Sequence, residues 1–217
     1  MKALLNYIGL WIEESNSNPY SYQISDYINT DKERVNAHKE LLKEIERKEE
    51  SRLEIIDTKT SQIVTYTGII FSALSLFIPI LLDKITDQGL IVKILFIMIL
   101  ISAFVFYILT IHNAIRNYNV LKFSYSGSHP NNAIKYQDKS VAEFGAIEVQ
   151  DLLYSINQNL KTNNSKASNL IYAYRAFRIA NIMTALLGIL ICVSLLFIKG
   201  KKDTTSNSIK IENLIQK

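Results

Sequence analysis

One cysteine among 217 residues, Cys192, leaves the chain without the means for an internal disulfide, a CxxC pair or a Cys/His metal cluster. Three histidines, His38, His112 and His129, stand far apart and make no HExxH or other ligand spacing, so they read as solvated or capping residues. Seven glycines are scattered singly, with no Walker motif, GxGxxG or GxSxG, which removes the phosphate cradle, the dinucleotide turn and the nucleophile elbow. No run of short strands with turn signals is present, as a cyclic-nucleotide barrel would require. No apolar run carries an acidic pair, a Ser/His pair or a metal set, so a non-enzymatic protein without cofactor is expected.

What is present is length without charge. Ile63 to Leu82, Ile94 to Ile111 and Ile179 to Ile198 are each about as long as a helix must be to cross a hydrocarbon core of ~30 Å. The predicted class is an all-α integral membrane protein of three transmembrane helices, two of them continuing as long helices into a cytoplasmic helical stalk. With 20% charged residues and a net charge of +4, the charge is concentrated between the apolar runs, where Lys and Arg favour anionic headgroups rather than a nucleic acid polymer.

The order along the chain follows from start and stop signals. Residues 1–29 combine a short amphipathic helix, with Leu4, Leu5, Ile8, Trp11 and Ile12 on one face, and a Ser/Asn/Tyr-rich loop holding Pro19 and one turn of helix. No small-residue cleavage pattern follows, and the amphipathic face is expected to pack on the protein's own helices or on the membrane surface. Residues 30–62 form the first stalk helix, opened by a Thr30/Glu33 capping box and striped by Val35, Leu41, Leu42, Ile45, Leu53, Ile55 and Ile56. It should run unbroken into the first span, from about Asp31 to Pro79, over roughly 70 Å, with Pro79 kinking or ending it. Residues 63–111 make a transmembrane hairpin around the turn Asp83 to Gly89, and Lys93 snorkels to the headgroups.

Residues 112–178 hold a loop, Phe123 to Asn132, and a second helix opened by Ser140/Glu143, with Val141, Gly145, Val149, Leu152, Ile156 and Leu160 on one face. Lys161 to Ser168 weakens that pattern and is expected to be a break. The two charged helices can bury their stripes on each other. Residues 179–198 form the third span and 199–217 a polar tail. Arg and Lys flank the first and third spans on one side, which places the N-terminus in the cytoplasm; Lys199, Lys201 and Lys202 run against that rule.

Within the spans, Ala180, Thr184, Gly188 and Cys192 recur every fourth residue, as do Gly68 and Ser72. Small residues at this spacing admit close helix approach, either inside one chain or in a homo-oligomer. Thr65, Tyr66, Thr67, Ser72 and Ser75 could line a wet path or bond back to their own helix. Asp57 and Lys59 read as an interfacial charge pair, and Arg175 and Arg178 hand the last helix over to its span. These four are the candidate signal-coupling residues at the membrane boundary.

RLEIIDTKTSQIVTYTGIIFSAL, Arg52 to Leu74, resembles the opening of the Pycsar transmembrane effectors, in which an acidic-x-Lys-small motif precedes the first span. Asp151 to Ile189, with its Gln158 to Leu160 element, resembles the second half of that family, and the related SLATT-type effectors share the general plan. The chain departs from the family at Thr60-Ser61, where Ala-Ser is usual, and at Thr67-Gly68, which replaces Asn-Gly. The resemblance implies an antiphage effector of the bacterial inner membrane that impairs the bilayer when a cyclic nucleotide, or a partner defence protein, signals infection. The alternative is a membrane anchor whose stalk recruits a separate soluble effector.

Overall fold

The structure is a computed structural model that describes residues 6–9, 24–28, 31–85, 89–119, 126–127 and 131–215. Among these the chain is helical, without a strand. Its α-helices are α1 (Lys32–Ile85), α2 (Leu90–Ile115), α3 (Asn131–Lys135) and α4 (Val141–Ile215), with single 3-10 turns at Ile24–Asp26 and Arg116–Tyr118.

The start of α1 is set by Asp31, whose Oδ1 accepts from the Glu33 amide at 2.9 Å and the Arg34 amide at 3.4 Å. A carboxylate satisfies the free N–H groups of a first turn and carries the charge that its dipole favours. The cap is thus one residue beyond the expected Thr30, which lies outside the described residues. At α4 the expected capping box forms in full: the Ser140 amide and hydroxyl each donate to Glu143 Oε2 at 3.0 Å, and the Glu143 amide donates to Ser140 Oγ at 3.3 Å. These bonds hold the Glu143 carboxyl below its ordinary pKa, the Ser140 amide contributing most.

Three expected interruptions are not there. Pro79 does not end α1, and the turn expected from Asp83 begins later, since the helix continues to Ile85. Proline removes one donor, whereas ending the helix would strip a whole turn of its partners. Lys161 to Ser168 is helical throughout, and α4 continues to Ile215 through the segment read as a polar tail. Of the hairpin turn only residues 86–88 separate α1 from the residues leading into α2, and these lie outside the described set.

The chain divides into two compact units: residues 1–64 with 111–174, and residues 65–110 with 175–217. In the first unit Val35, Ile56 and Ile63 of α1 and Val149, Leu152, Ile156, Leu170 and Ala173 of α4 are buried. Each fully buried branched aliphatic contributes roughly 1.5–3 kcal/mol. Leu41, Ile55 and Val141, expected on the inward stripes, are exposed. Glycine is required at Gly145, where a Cβ would stand 2.6 Å from Val35 Cγ1. In the second unit Phe96, Leu100 and Leu187 form a core with Leu74, Ile78, Ile99, Phe104 and Ile191 around it. The Phe71 ring meets Phe104 edge-on at 4.8 Å. Two helices, α2 with its 3-10 extension and α4 up to Ser194, are long and apolar enough to cross a membrane.

Gly145→Ala should destabilise the chain by about 1–3 kcal/mol, since a β-branched valine cannot yield the space. Gly68→Ala, where an added Cβ meets no atom within 4 Å, should be neutral or stabilising by about 0.5–1 kcal/mol; thermal unfolding followed by circular dichroism compares the two. A second test uses pH. Burial, followed by the neighbouring Glu50 charge, raises the Glu46 pKa against the opposing pull of Lys43. The ionised form is therefore disfavoured in the folded chain, and the penalty is present above the raised pKa and vanishes once both folded and unfolded states are protonated. Glu46→Gln should stabilise the chain at neutral pH by about 0.2–0.5 kcal/mol after solvent screening, seen as a higher melting temperature, and change nothing near pH 4.

Candidate functional site

The two long helices of the first unit are keyed together by polar side chains. Lys39 of α1 pairs with Glu148 of α4. Further along, Asn163 Nδ2 donates to the Glu49 carbonyl at 2.9 Å and to Glu49 Oε2 at 2.8 Å, and Arg52 donates to Asn164 Oδ1 at 2.9 Å. Lys166 Nζ then reaches Asp57 at 3.0 and 3.2 Å. The partners are 109 to 114 residues apart in sequence and advance together, so α1 and α4 run parallel. This is why Lys161 to Ser168 stays helical. Its amides and lysine are held by α1, which outweighs the poor helix propensity of two consecutive asparagines.

The expected Asp57/Lys59 pair does not form: Asp57 turns to Lys166, and Lys59 is exposed. Two positions apart on a helix, their side chains diverge by about 200° and cannot share a face. Arg175 is half-buried and Arg178 exposed; both belong to the second unit, whereas Asp57 belongs to the first.

A second polar group of the first unit surrounds the end of α2. Asn113, Asn117 and Thr60 are all buried. Asn117 Nδ2 donates to Thr60 Oγ1 at 3.0 Å, while the Thr60 hydroxyl donates to the Ile56 carbonyl at 2.7 Å. Asn113 Nδ2 donates to the Ile8 carbonyl at 2.9 Å, and Arg116 donates to the Gly9 carbonyl at 3.3 Å. Asn113 must present nitrogen to a carbonyl, which fixes its orientation, and Asn117 presents nitrogen to a hydroxyl already committed as a donor to Ile56; Asn113 Oδ1 and Asn117 Oδ1 are left buried without a donor. An orphaned acceptor of this kind costs about 1–3 kcal/mol. Elsewhere in the unit, amides hold irregular backbone: Asn159 exchanges two hydrogen bonds with Ser126, at 2.8 and 2.9 Å, and Gln150 donates to the Tyr27 carbonyl at 3.0 Å.

Among the described residues of the second unit, a polar cluster surrounds the buried Tyr107. Tyr107, fully buried, donates to Asn181 Oδ1 at 2.9 Å and lies 3.1 Å from Thr184 Oγ1. Thr184 also donates to the Ala180 carbonyl at 3.0 Å, and the Phe177 ring packs edge-on to Tyr107 at 6.3 Å. Of the small-residue series, Ala180 is buried and Thr184 is engaged here, whereas Gly188 and Cys192 are exposed. Gly68 and Gly188 have open space where a Cβ would go, and Ser72 is exposed, so within this chain these residues do not mediate a close helix approach. Of the hydroxyls of the first apolar run, Ser75 bonds back to the Phe71 carbonyl at 2.9 Å, Thr67 is buried, and Thr65, Tyr66 and Ser72 are exposed.

Sequence reasoning missed the asparagines. Asn113 and Asn117 repeat at four residues in phase with the buried Ala103, Tyr107 and Thr110, and Asn159 and Asn163 continue the face of Leu152 and Ile156. That phase was the available signal, obscured because asparagine is ordinarily a surface or loop residue.

Compared with protein-family models, curated proteins and solved structures, the chain matches none. What the fold defines is a class: a protein helical throughout its described residues, with two helices among them able, by length and composition, to cross a membrane.

Asp57→Ala should destabilise the first unit by about 1–2 kcal/mol by removing the carboxylate to which the Lys166 ammonium, with 12% of its side chain exposed, donates, while Lys59→Ala should stay within about 0.5 kcal/mol of the parent. Thermal melts of the two variants in one detergent decide the point.

Proposed function

We propose that this chain is a non-enzymatic membrane effector of a bacterial antiphage system, resting in the inner membrane with its N-terminus cytoplasmic. The carrying observation is that α1 and α4 each join a charged, polar-keyed half to an apolar half without interruption. A signal bound by the charged half, whether a cyclic nucleotide or a partner protein, can then shift both helices where they cross the bilayer. Support for the membrane setting comes from exposure. Only 28% of the most apolar stretch of α2 and 17% of that of α4 is buried, whereas the core helix of a soluble protein is mostly covered. Exposed Tyr66 and Tyr174 stand near the charged ends of their apolar runs, the level at which phenol rings favour a membrane interface. Three spans and a homo-oligomer complete the reading.

In such a setting the Tyr107, Asn181 and Thr184 cluster holds the quiet state. Polar groups within a bilayer are expensive, and pairing them fixes how the helices pack. An interhelical hydrogen bond in a membrane contributes roughly 0.6 kcal/mol on average and 1.7 at most, so its loss moves a two-state balance by about three- to twentyfold. Tyr107→Phe, which deletes one oxygen and keeps the ring, should therefore depolarise expressing cells without a trigger, read with a potential-sensitive dye. Unchanged potential in this variant, together with no loss in the triggered parent chain, would refute the effector reading.

A further inference from the structure

We infer that residues Asn6–Gly9 form a releasable strap that ties α2 to α4 and restrains the effector; its regulatory meaning rests on the effector reading above. The strap is a tight turn, closed by the Gly9 amide donating to the Asn6 carbonyl at 3.1 Å. Its seat reads backbone rather than side chain: Asn113 takes the Ile8 carbonyl and Arg116 the Gly9 carbonyl. Ile8 is the buried anchor, with 6% of its surface exposed, while Asn6 and Tyr7 are exposed.

The fit admits only glycine. Gly9 has φ +77°, and a Cβ there would meet Tyr172 Cβ and Cγ at 2.7 Å and Asn113 Oδ1 at 3.0 Å. Glycine alone adopts this backbone freely and lets the turn press onto α2 and α4 together. Asn113 belongs to α2 and Tyr172 to α4, so the turn bridges the two helices close to their apolar stretches.

The same contact contains the reason to let go. While the turn is seated, Asn113 Oδ1 is sealed from solvent with no donor. Departure of the turn would open that oxygen, the Asn113 amide and the Arg116 guanidinium to water, which satisfies all of them. The buried Ile8 and the hydrogen bonds from Asn113 and Arg116 hold the strap down, and the orphaned acceptor works against them. Such a balance makes a switchable contact rather than a permanent one.

The test uses the full chain in nanodiscs, with Cys192→Ala to remove the native thiol. A thiol introduced by Ile8→Cys should react with maleimide about tenfold or more slowly than one introduced by Asn6→Cys in the same turn. Adding Gly9→Ala or Arg116→Ala should bring the two rates together. In liposomes these unseating variants, without the added thiols, should leak ions faster than the parent by about two- to tenfold for each hydrogen bond lost. Equal labelling at positions 6 and 8 in the parent background would overturn the strap. So would unseating variants that leak no faster than the parent while Tyr107→Phe does, which leaves the effector reading standing. No leak from any of the three variants overturns both.

Discussion

The parallel register of α1 on α4 is the constraint on which the first unit depends. Lys39 with Glu148, Glu49 with Asn163, Arg52 with Asn164 and Asp57 with Lys166 form a ladder whose rungs advance in the same direction along both helices. Taken singly, half-exposed ion pairs add little stability. Taken together they specify register, because a slip of one turn would separate all the pairs at once and press Val35 against a residue other than Gly145. The hydrophobic stripes drive the two helices together, and the ladder selects one alignment out of several that would bury a similar area.

With that alignment in place, the irregular parts of the first unit are hung on it by amide side chains. Asn113 holds the carbonyl of Ile8, Gln150 that of Tyr27, and Asn159 both backbone groups of Ser126. An amide side chain carries a donor and an acceptor in the geometry of a peptide group, so it can complete a backbone that has no helix or sheet neighbour. The arrangement makes few demands on the sequence of the held segments, apart from Gly9. It also has a drawback: an amide whose nitrogen is committed strands its oxygen, as at Asn113, Asn117 and Asn163. These stranded acceptors lie in the unit that the proposed effector would use to receive its signal, and they reduce the free energy needed to rearrange it.

Much of the helical plan could be read from residue order. The Ser140/Glu143 box is a local device, complete within four residues, and it forms as read. The long uninterrupted helices follow from the scarcity of proline and glycine. Reading failed where a local signal was overruled from a distance. Lys161 to Ser168 looked like a break because asparagine and serine prefer caps and turns, yet α1 holds its side chains. Asp57 and Lys59 looked like a pair because they are close in sequence, although helical geometry points them apart. Gly68 and Gly188 suggested close packing inside one chain or in a homo-oligomer; whether such a notch is filled depends on what faces it, and among the described residues nothing of this chain does.

The sequence by itself determined the helical class, the division into charged and apolar lengths, and the cap of α4. Each follows from interactions within a few turns of one helix, which the order of residues states directly. Only the tertiary structure decided that Asp57 meets Lys166, that Tyr107 meets Asn181, and that the Ile8 and Gly9 carbonyls are received by Asn113 and Arg116. These contacts join residues 74 to 109 positions apart. They depend on the rotation and register of one helix against another, and amphipathic periodicity gives the face of a helix but not the partner set opposite it.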